Sequence, residues 1–376
     1  MSQTTVIIIG ASYAGIGVAH AILKGIPSVK VIVINPHNKL FFSIAAPRIL
    51  AKPDAFRPEQ YLLSIQGAFA QYPSESIEFI QDFATSIDSA TKTVTVKTGA
   101  SFSYDYLVIA SGSTTASSLG KGSTVAPFKP SNAKDMEAVI KSAQQEVADA
   151  KSIIIAGGGA VGVEFAGEVA EAFKTKKGSK ITLLTQTKNL LPTLKMSAGI
   201  AAKTILAKLN VEVLTSRKVQ TAERDSETNK WTATLDNGET LTADLYISTT
   251  GVIPNNNFIP AEFLSVDGWV NVDTHLRVKS SSTKGGDPLP IYALGDITTY
   301  PQRLAYKVNE QVPIVAANIK AGILGQGKRP EYSPGTRVMM VVGTGQVFFG
   351  WVPWGWLVAF VKGKDYFISK ASAVGC

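Results

Sequence analysis

Two glycine-rich turns and one isolated cysteine bound the chemistry open to this chain of 376 residues. In the stretch TTVIIIGASYAGIGVAHAIL, from Thr4 to Leu23, the β-branched run Val6 to Ile9 meets Gly10. A small-residue segment with Ser12, Ala14 and Gly15 then opens an apolar stretch. The pattern recurs 147 residues later, where Ser152 to Ala156 leads into Gly157, Gly159 and Gly162. Glycines at this spacing let a strand turn sharply into a helix. They also bring backbone N–H groups and the positive helix end against a dinucleotide pyrophosphate. The second turn completes G-x-G-x-x-G, whereas the first has Ser12 at the middle position. One such pattern has many accidental matches. Two of them, each between a buried strand and a helix, predict two dinucleotide sites.

The remaining reactive residues narrow what two bound nucleotides can do. The only cysteine is the last residue, Cys376, so disulfide frameworks, thiolate metal clusters and a redox-active CxxC are impossible within one chain. His20, His37 and His275 show no metal-ligand spacing and are expected to be packed or surface residues, with no metal bound. Hydride or electron transfer between two cofactors needs little from protein acids and bases. It needs two rings in contact in a partly dry site. Without a protein disulfide, electrons must leave directly to a bound acceptor.

The elements that must position these turns follow from hydrophobic patterning. Val29 to Ile34 reads as a second buried strand, ending at Asn35, where dinucleotide folds usually place an Asp or Glu on a ribose. Phe41-Phe42 and Ala45 to Arg48 form an apolar approach to one basic residue. Short strands are expected at Ile77 to Phe83 and Thr93 to Lys97, and a buried strand at Tyr106 to Gly112. A Pro/Ser-containing link, Ala126 to Asn132, precedes a helix expected over Ala133 to Ala150. The second unit continues with a helix from Val161 to Phe173 and strands at Lys180 to Leu184, Val211 to Leu214, Trp231 to Leu235 and Leu245 to Thr249. Asp236-Asn237-Gly238 fits a hairpin turn. Gly251 to Pro254 marks the exit from that unit, and Ser280 to Pro288 is a polar loop. Ile291 to Asp296 is a last buried strand, followed by a helix over Leu304 to Leu324 and short strands after Gly327. The expected fold class is α/β, with two Rossmann-like dinucleotide-binding domains and a small α+β C-terminal region. The divisions fall at 1–125, 126–250, 251–326 and 327–376.

With 45% hydrophobic and 18% charged residues the balance is that of a globular protein. The net charge of +8 has no run longer than Lys176-Lys177. It reads as thinly spread, giving either mild attraction to anionic cofactors or an anionic membrane surface or a solvated basic surface with no partner, and no case for nucleic acid. The apolar N-terminal run lacks a charged lead and meets glycine, so no signal peptide is expected. The chain starts Met-Ser, Cys376 lies too late for a prenylation box, and no stretch is long enough to cross a bilayer. The expected location is the cytosol. The Trp-rich segment GWVPWGWLVAFV (Trp351, Trp354, Trp356), with Lys362 and Lys364 beside it, could pack on the core, form a dimer face or dip into a membrane.

The ordered set GASYAG, YLVIASGS, IIIAGGGAVGVEFAGEV, TTGVIPN and IYALGD resembles the two-dinucleotide flavoproteins of the pyridine-nucleotide oxidoreductase family. LFFSIAAPRIL, ITLLTQTKNLLPTLK, QRLAYKVNEQ and VKGKDYFIS narrow the resemblance to the apoptosis-inducing-factor homologues, and within them to the ferroptosis-suppressor branch and its fungal relatives. The similarity covers nearly the whole chain. It implies FAD on Gly10, Ser12, Ala14 and Gly15, with Asn35 at the adenosine ribose and the backbone near Ala84 at adenine. Arg48 would lie near the phosphates or flavin. Ala110, Ser111 and Gly112 would close over the cofactor, and Asp296, after Gly295, would hold the ribityl chain. It further implies NAD(P)H on Gly157, Gly159 and Gly162, near Gly251, with Glu164 orienting the nicotinamide amide. Thr185 and Lys188 would stand at the ribose, where the usual acid is missing and NADPH is tolerated as well as NADH. Tyr306, Lys307, Lys362 and Phe367 would line the acceptor side, Lys307 preceding a helix aimed at the flavin.

The implied activity is an NAD(P)H:quinone oxidoreductase passing electrons to a ubiquinone-like quinone or oxygen. The chain would be a monomer or homodimer, with peripheral contact to the mitochondrial outer membrane or a lipid droplet as the membrane alternative to the cytosol. The competing readings are a ferredoxin or rubredoxin reductase, a biosynthetic small-molecule oxidase, and a redox-sensing death-signalling flavoprotein with little turnover.

Overall fold

The computed structural model describes residues 3–130, 133–281, 289–335, 341–342, 347–348 and 365–375. In β1 (Thr4–Ile9) the β-branched run is covered on both faces. Val6 and Ile8 join one apolar cluster, while Ile7 and Ile9 join another on the opposite side. That is why four successive residues can all be apolar in a strand whose side chains alternate.

The chain then forms α1 (Tyr13–Gly25), β2 (Val29–Asn35), α2 (Ala46–Ala51) and β3 (Ile77–Gln81). A small antiparallel sheet of β4 (Ala84–Asp88), β5 (Thr93–Val96) and β6 (Ser101–Ser103) follows, and then β7 (Tyr106–Ile109) and β8 (Ser113–Thr114). The second unit contains α3 (Met136–Asp149), β9 (Ser152–Ala156), α4 (Ala160–Ala172), β10 (Lys180–Thr185), α5 (Met196–Lys208) and β11 (Val211–Thr215). It continues with an antiparallel trio, β12 (Val219–Arg224), β13 (Trp231–Leu235) and β14 (Thr240–Ala243), and with β15 (Leu245–Ser248) and β16 (Ile253–Pro254). The chain returns through β17 (Ile291–Ala293) and α6 (Ala305–Leu324) to a short hairpin, β18 (Val341–Val342) and β19 (Val347–Phe348).

Two parallel sheets result. The first has the order β17-β7-β1-β2-β3 and the second β11-β10-β9-β15. In each, the strand carrying the glycine turn is where the chain switches direction across the sheet. That is the point where open α/β sheets leave a crevice beyond their strand ends. The second sheet is inserted between β7 and β17 of the first. The insertion leaves and returns through a single ladder, with Ser113 opposite Pro254 and Thr114 opposite Ile253. Asn255 reinforces the crossing, its Nδ2 donating to the Ser111 carbonyl and its own carbonyl accepting from Ser111 Oγ, both at 2.8 Å.

Most expected elements lie where the patterning puts them, with shifts at their ends. The helix expected from Ala133 starts at Met136, because the Asp135 carboxylate caps it by accepting from the Ala138 N–H at 3.0 Å. The strand expected to reach Gly112 ends at Ile109, since the next residues turn through Gly112 at φ +65°. Part of the polar loop, residues 282–288, and the segment with Trp351, Trp354 and Trp356 lie outside the described residues. The seam between the two units is apolar: one cluster joins Ile49 and Leu50 of α2, Ile140 of α3, Phe165 of α4, and Tyr366 and Ile368 near the C-terminus. Among the described residues no helix is long and apolar enough to cross a membrane.

Candidate functional site

The first turn is shaped by contacts only glycine permits. Gly10 has φ +104°, and a Cβ there would stand 2.4 Å from the Ala110 carbonyl oxygen. A Cβ on Gly15 would stand 1.8 Å from the Gly10 carbonyl oxygen, so α1 lies directly on the turn. Ser12 occupies the N-cap of α1 without capping it through its side chain. The first-turn N–H groups therefore keep their capacity for an anion. Asn35, at the end of β2, accepts from the Ala11 N–H at 3.0 Å and donates to the His37 carbonyl at 2.7 Å, tying the turn to its neighbouring strand.

These groups border a cleft of about 290 Å³ lined by Ser12, Ala14, Asn35, Ala110, Ser111, Gly112, Gly295 and Asp296. Gly295, at φ +76°, donates its N–H to Gln311 Oε1 at 2.7 Å, and a Cβ on it would lie 3.2 Å from the Ala14 Cβ. The β17 end is thereby held against α1. The N-terminus of α6 reaches the same cleft through Leu304 and Ala305.

Asp296 is not solitary there. Its carboxylate accepts from Ser113 Oγ at 2.9 Å and pairs with Lys129, whose ammonium also donates to Ser113 Oγ at 2.9 Å. Arg303 donates to the Asp296 carbonyl at 3.1 Å and stacks over Trp269 at 3.6 Å. Tyr13 lines the cleft with its hydroxyl pushed up to about 12, by burial and against the Ser43 hydroxyl, so it stays a neutral donor. Lys129, Arg303 and Tyr13 are site residues that sequence reading missed. The available signal for Lys129 was a lone cation in the link between the two units.

The second turn repeats the first. Gly157 has φ +128°, and a Cβ on Gly162 would stand 1.9 Å from the Gly157 carbonyl oxygen. Gly159 caps α4 without a side chain, and a Cβ there would meet nothing within 4 Å, so its bare backbone stays open to a ligand. Gly251, φ +66°, is similarly open. Thr185 ends β10 buried, with its hydroxyl 2.8 Å from Thr187 Oγ1, and Lys188 is exposed beyond it. Arg217, which sequence reading passed over, sits beside them: its N–H donates to the Thr185 carbonyl at 3.0 Å. Among these strand-end residues no carboxylate stands.

Several predicted residues are placed elsewhere. Arg48 does not line the cleft. Its guanidinium grips Glu168 of α4 at 2.8 and 3.0 Å and lies 4.5 Å over the Tyr366 ring, so it fastens the two units together. Glu168 is 3% exposed and also pairs with Lys52 at 2.7 Å. Burial alone would raise its carboxyl, but the hydrogen bonds and charges of Arg48 and Lys52 outweigh that and hold it below its ordinary value. Glu164, one turn earlier on α4, is equally buried, and its charge joins burial in pushing the Tyr366 hydroxyl up.

Lys307 lies inside the first turn of α6 rather than before it. Its ammonium is buried against Glu310, at 2.9 Å, and the Pro334 carbonyl, away from the cleft. Tyr306 stands next to it, its ring 5.1 Å from that ammonium. Ala84 opens β4 opposite Val96 and does not line the cleft. Phe367, half-buried at φ +62°, packs on the seam cluster behind Tyr366. Lys362 lies outside the described residues. His20 is packed, its Nδ1 2.8 Å from the Tyr72 hydroxyl.

Both turns suit a dinucleotide. Each has a glycine pair closed on itself and a helix start without a side-chain cap. The first adds cations over the cleft.

Comparison with known proteins agrees. A family model described as pyridine nucleotide-disulphide oxidoreductase matches residues 4–316. Oxidoreductase phnG of Penicillium herquei is 31% identical, over 98% of this chain and 94% of that protein. Ferroptosis suppressor protein 1 of Taeniopygia guttata is 25% identical, over 97% and 94%. Among solved structures, the sulfide:quinone oxidoreductase of Aquifex aeolicus shares the fold, with a TM-score of 0.76 at 19% identity, covering 99% of this chain and 92% of that one.

Proposed function

The chain belongs to the pyridine nucleotide-disulphide oxidoreductase family, and from that premise we propose that it works as an NAD(P)H:quinone oxidoreductase. The family uses FAD and NAD(P)H, and bound together these supply the hydride and electron transfer that side chains cannot. One conjunction carries the reading: two glycine turns at the switch points of two parallel sheets, in a chain whose single cysteine is its last residue. A dithiol relay within the chain is therefore closed, and the electrons must go straight to a bound acceptor.

Each residue then has a task. Gly10, Gly15 and the start of α1 receive the FAD pyrophosphate, and Asn35 faces the adenosine ribose. Asp296, fixed by Lys129 and Ser113, accepts hydrogen bonds from the ribityl hydroxyls. Gly157, Gly159 and Gly162 receive the NAD(P)H pyrophosphate, and Glu164 orients the nicotinamide amide. At the far ribose, Thr185, Lys188 and Arg217 offer hydroxyl and cationic groups with no carboxylate to repel a 2′-phosphate, so NADH and NADPH are both accepted. A ubiquinone-like quinone is the acceptor we favour, on the chain-long likeness to the sulfide:quinone oxidoreductase of Aquifex aeolicus.

The visible spectrum of the purified chain under anaerobic conditions tests this. A flavin spectrum that bleaches with NADPH and returns on adding a short-chain quinone is the expected result. A protein that stays colourless after FAD is supplied refutes the cofactor assignment. One that bleaches but recovers only with a ferredoxin- or rubredoxin-type protein refutes the quinone.

A further inference from the structure

Residues 186–211, the loop before α5, α5 itself and the start of β11, carry four lysines (Lys188, Lys195, Lys203 and Lys208) and no Asp or Glu. α5 lies within that stretch. It turns Ala198, Ala202 and Leu206 inward, and Gly199 approaches the preceding loop so closely that a Cβ would stand 2.2 Å from the Leu190 carbonyl oxygen. The helix is thereby seated firmly against residues 186–195. Its outer face presents Met196 and Ile200, 65% and 54% exposed, although β19 runs beside the helix. Between this face and the loop lies an open groove of about 630 Å³, bordered by Lys203 and Lys208 and by no acidic residue, with Lys188, which serves the nucleotide ribose, at its edge.

Large apolar side chains left in water within a rim of lysines match a surface that is apolar beneath and negatively charged on top. α5 packs on β11, the edge strand of the second sheet, and its groove shares no residue with the Asp296 cleft. A protein that takes electrons must come close to the flavin, whereas a passive support need not. We infer that α5 and the loop before it form the face on which this protein rests against an anionic membrane. Met196 and Ile200 enter the headgroup boundary, and the lysines meet lipid phosphates and carboxylates. The assignment of this face does not depend on which acceptor the flavin serves.

Co-sedimentation of the full flavin-loaded chain with vesicles tests the assignment, using phosphatidylcholine alone or phosphatidylcholine mixed with phosphatidylserine. The protein should pellet with the mixed vesicles at low salt and be released as salt shortens the screening length. Each lysine near the surface is worth roughly a fivefold change in partitioning. Lys203→Glu with Lys208→Glu should therefore lower the bound fraction by well over tenfold, and Lys203→Gln with Lys208→Gln by less. Ile200→Ser should weaken binding severalfold. Flavin content and NADPH-driven reduction of a water-soluble quinone should not change in any of these variants. Equal binding to neutral vesicles, or undiminished binding by the charge-reversed variant, would overturn the inference. So would a parent protein that ignores phosphatidylserine but binds an acidic protein or duplex DNA.

Discussion

Glu168 carries two cations on one buried carboxylate, and it joins helices that lie more than a hundred residues apart in the chain. Replacing it by Gln leaves Arg48 and Lys52 facing each other inside the seam, at a cost of about 3 kcal/mol. Arg48→Met keeps Glu168 paired with Lys52 and costs less, about 1–2 kcal/mol. Urea unfolding of the two variants should rank them in that order. Because the Glu168 carboxyl sits below its ordinary value of 4.5, its stabilisation is complete above that pH and fades as pH falls through the folded value. The parent should thus lose stability in acid more steeply than Glu168→Gln. Asp296→Ala should strip FAD during purification, lowering the ratio of flavin to protein absorbance to less than half. Arg217→Ala should raise KM for NADPH about tenfold, the loss of one charged contact, with KM for NADH nearly constant. Asn35 could be found in the sequence because it ends a buried strand, and Asp296 through the resemblance carried by IYALGD. Lys129 and the Arg48–Glu168 pair could not, since their partners stand 167 and 120 residues away and no local periodicity encodes such a meeting.

Each glycine turn is one unit of strand, turn and helix, and its glycines are not equivalent. Gly15→Ala and Gly162→Ala would drive a Cβ to within 2 Å of a backbone oxygen. Helix and strand must then separate, and both variants should lose stability together with their nucleotide. Gly159→Ala meets no neighbour and sits at φ −76°. It should keep the parent melting temperature and flavin content while raising KM for NAD(P)H, because the added methyl occupies only the ligand's space. Titration with NADPH beside a thermal melt separates the two outcomes. At this scale the sequence was readable. β-branched runs marked strands covered on both faces, and Ser12 at the middle position of the first turn did not disturb its closure. The ends were less so: the start of α3 depends on the Asp135 cap, and the end of β7 on a left-handed Gly112.

The two sheets share an apolar seam sealed by the Arg48–Glu168 pair, so the molecule should unfold as one body. Loss of flavin and loss of tryptophan fluorescence in urea should coincide in the parent, and Glu168→Gln is the variant expected to part them. The recurrence of the glycine pattern showed that there are two units, but not how they are joined. Patterning alone divides the chain near 125 and 250, whereas the strands cross at Ser113–Thr114 and again at Ile253–Pro254. Those two crossings lie side by side in one ladder, while β7 and β17 pair with each other regardless of what lies between them. The second unit thus has a single doorway. A gene could lose this cassette, lengthen it or exchange it for another, and the remaining strands would keep their pairing partners in the sheet.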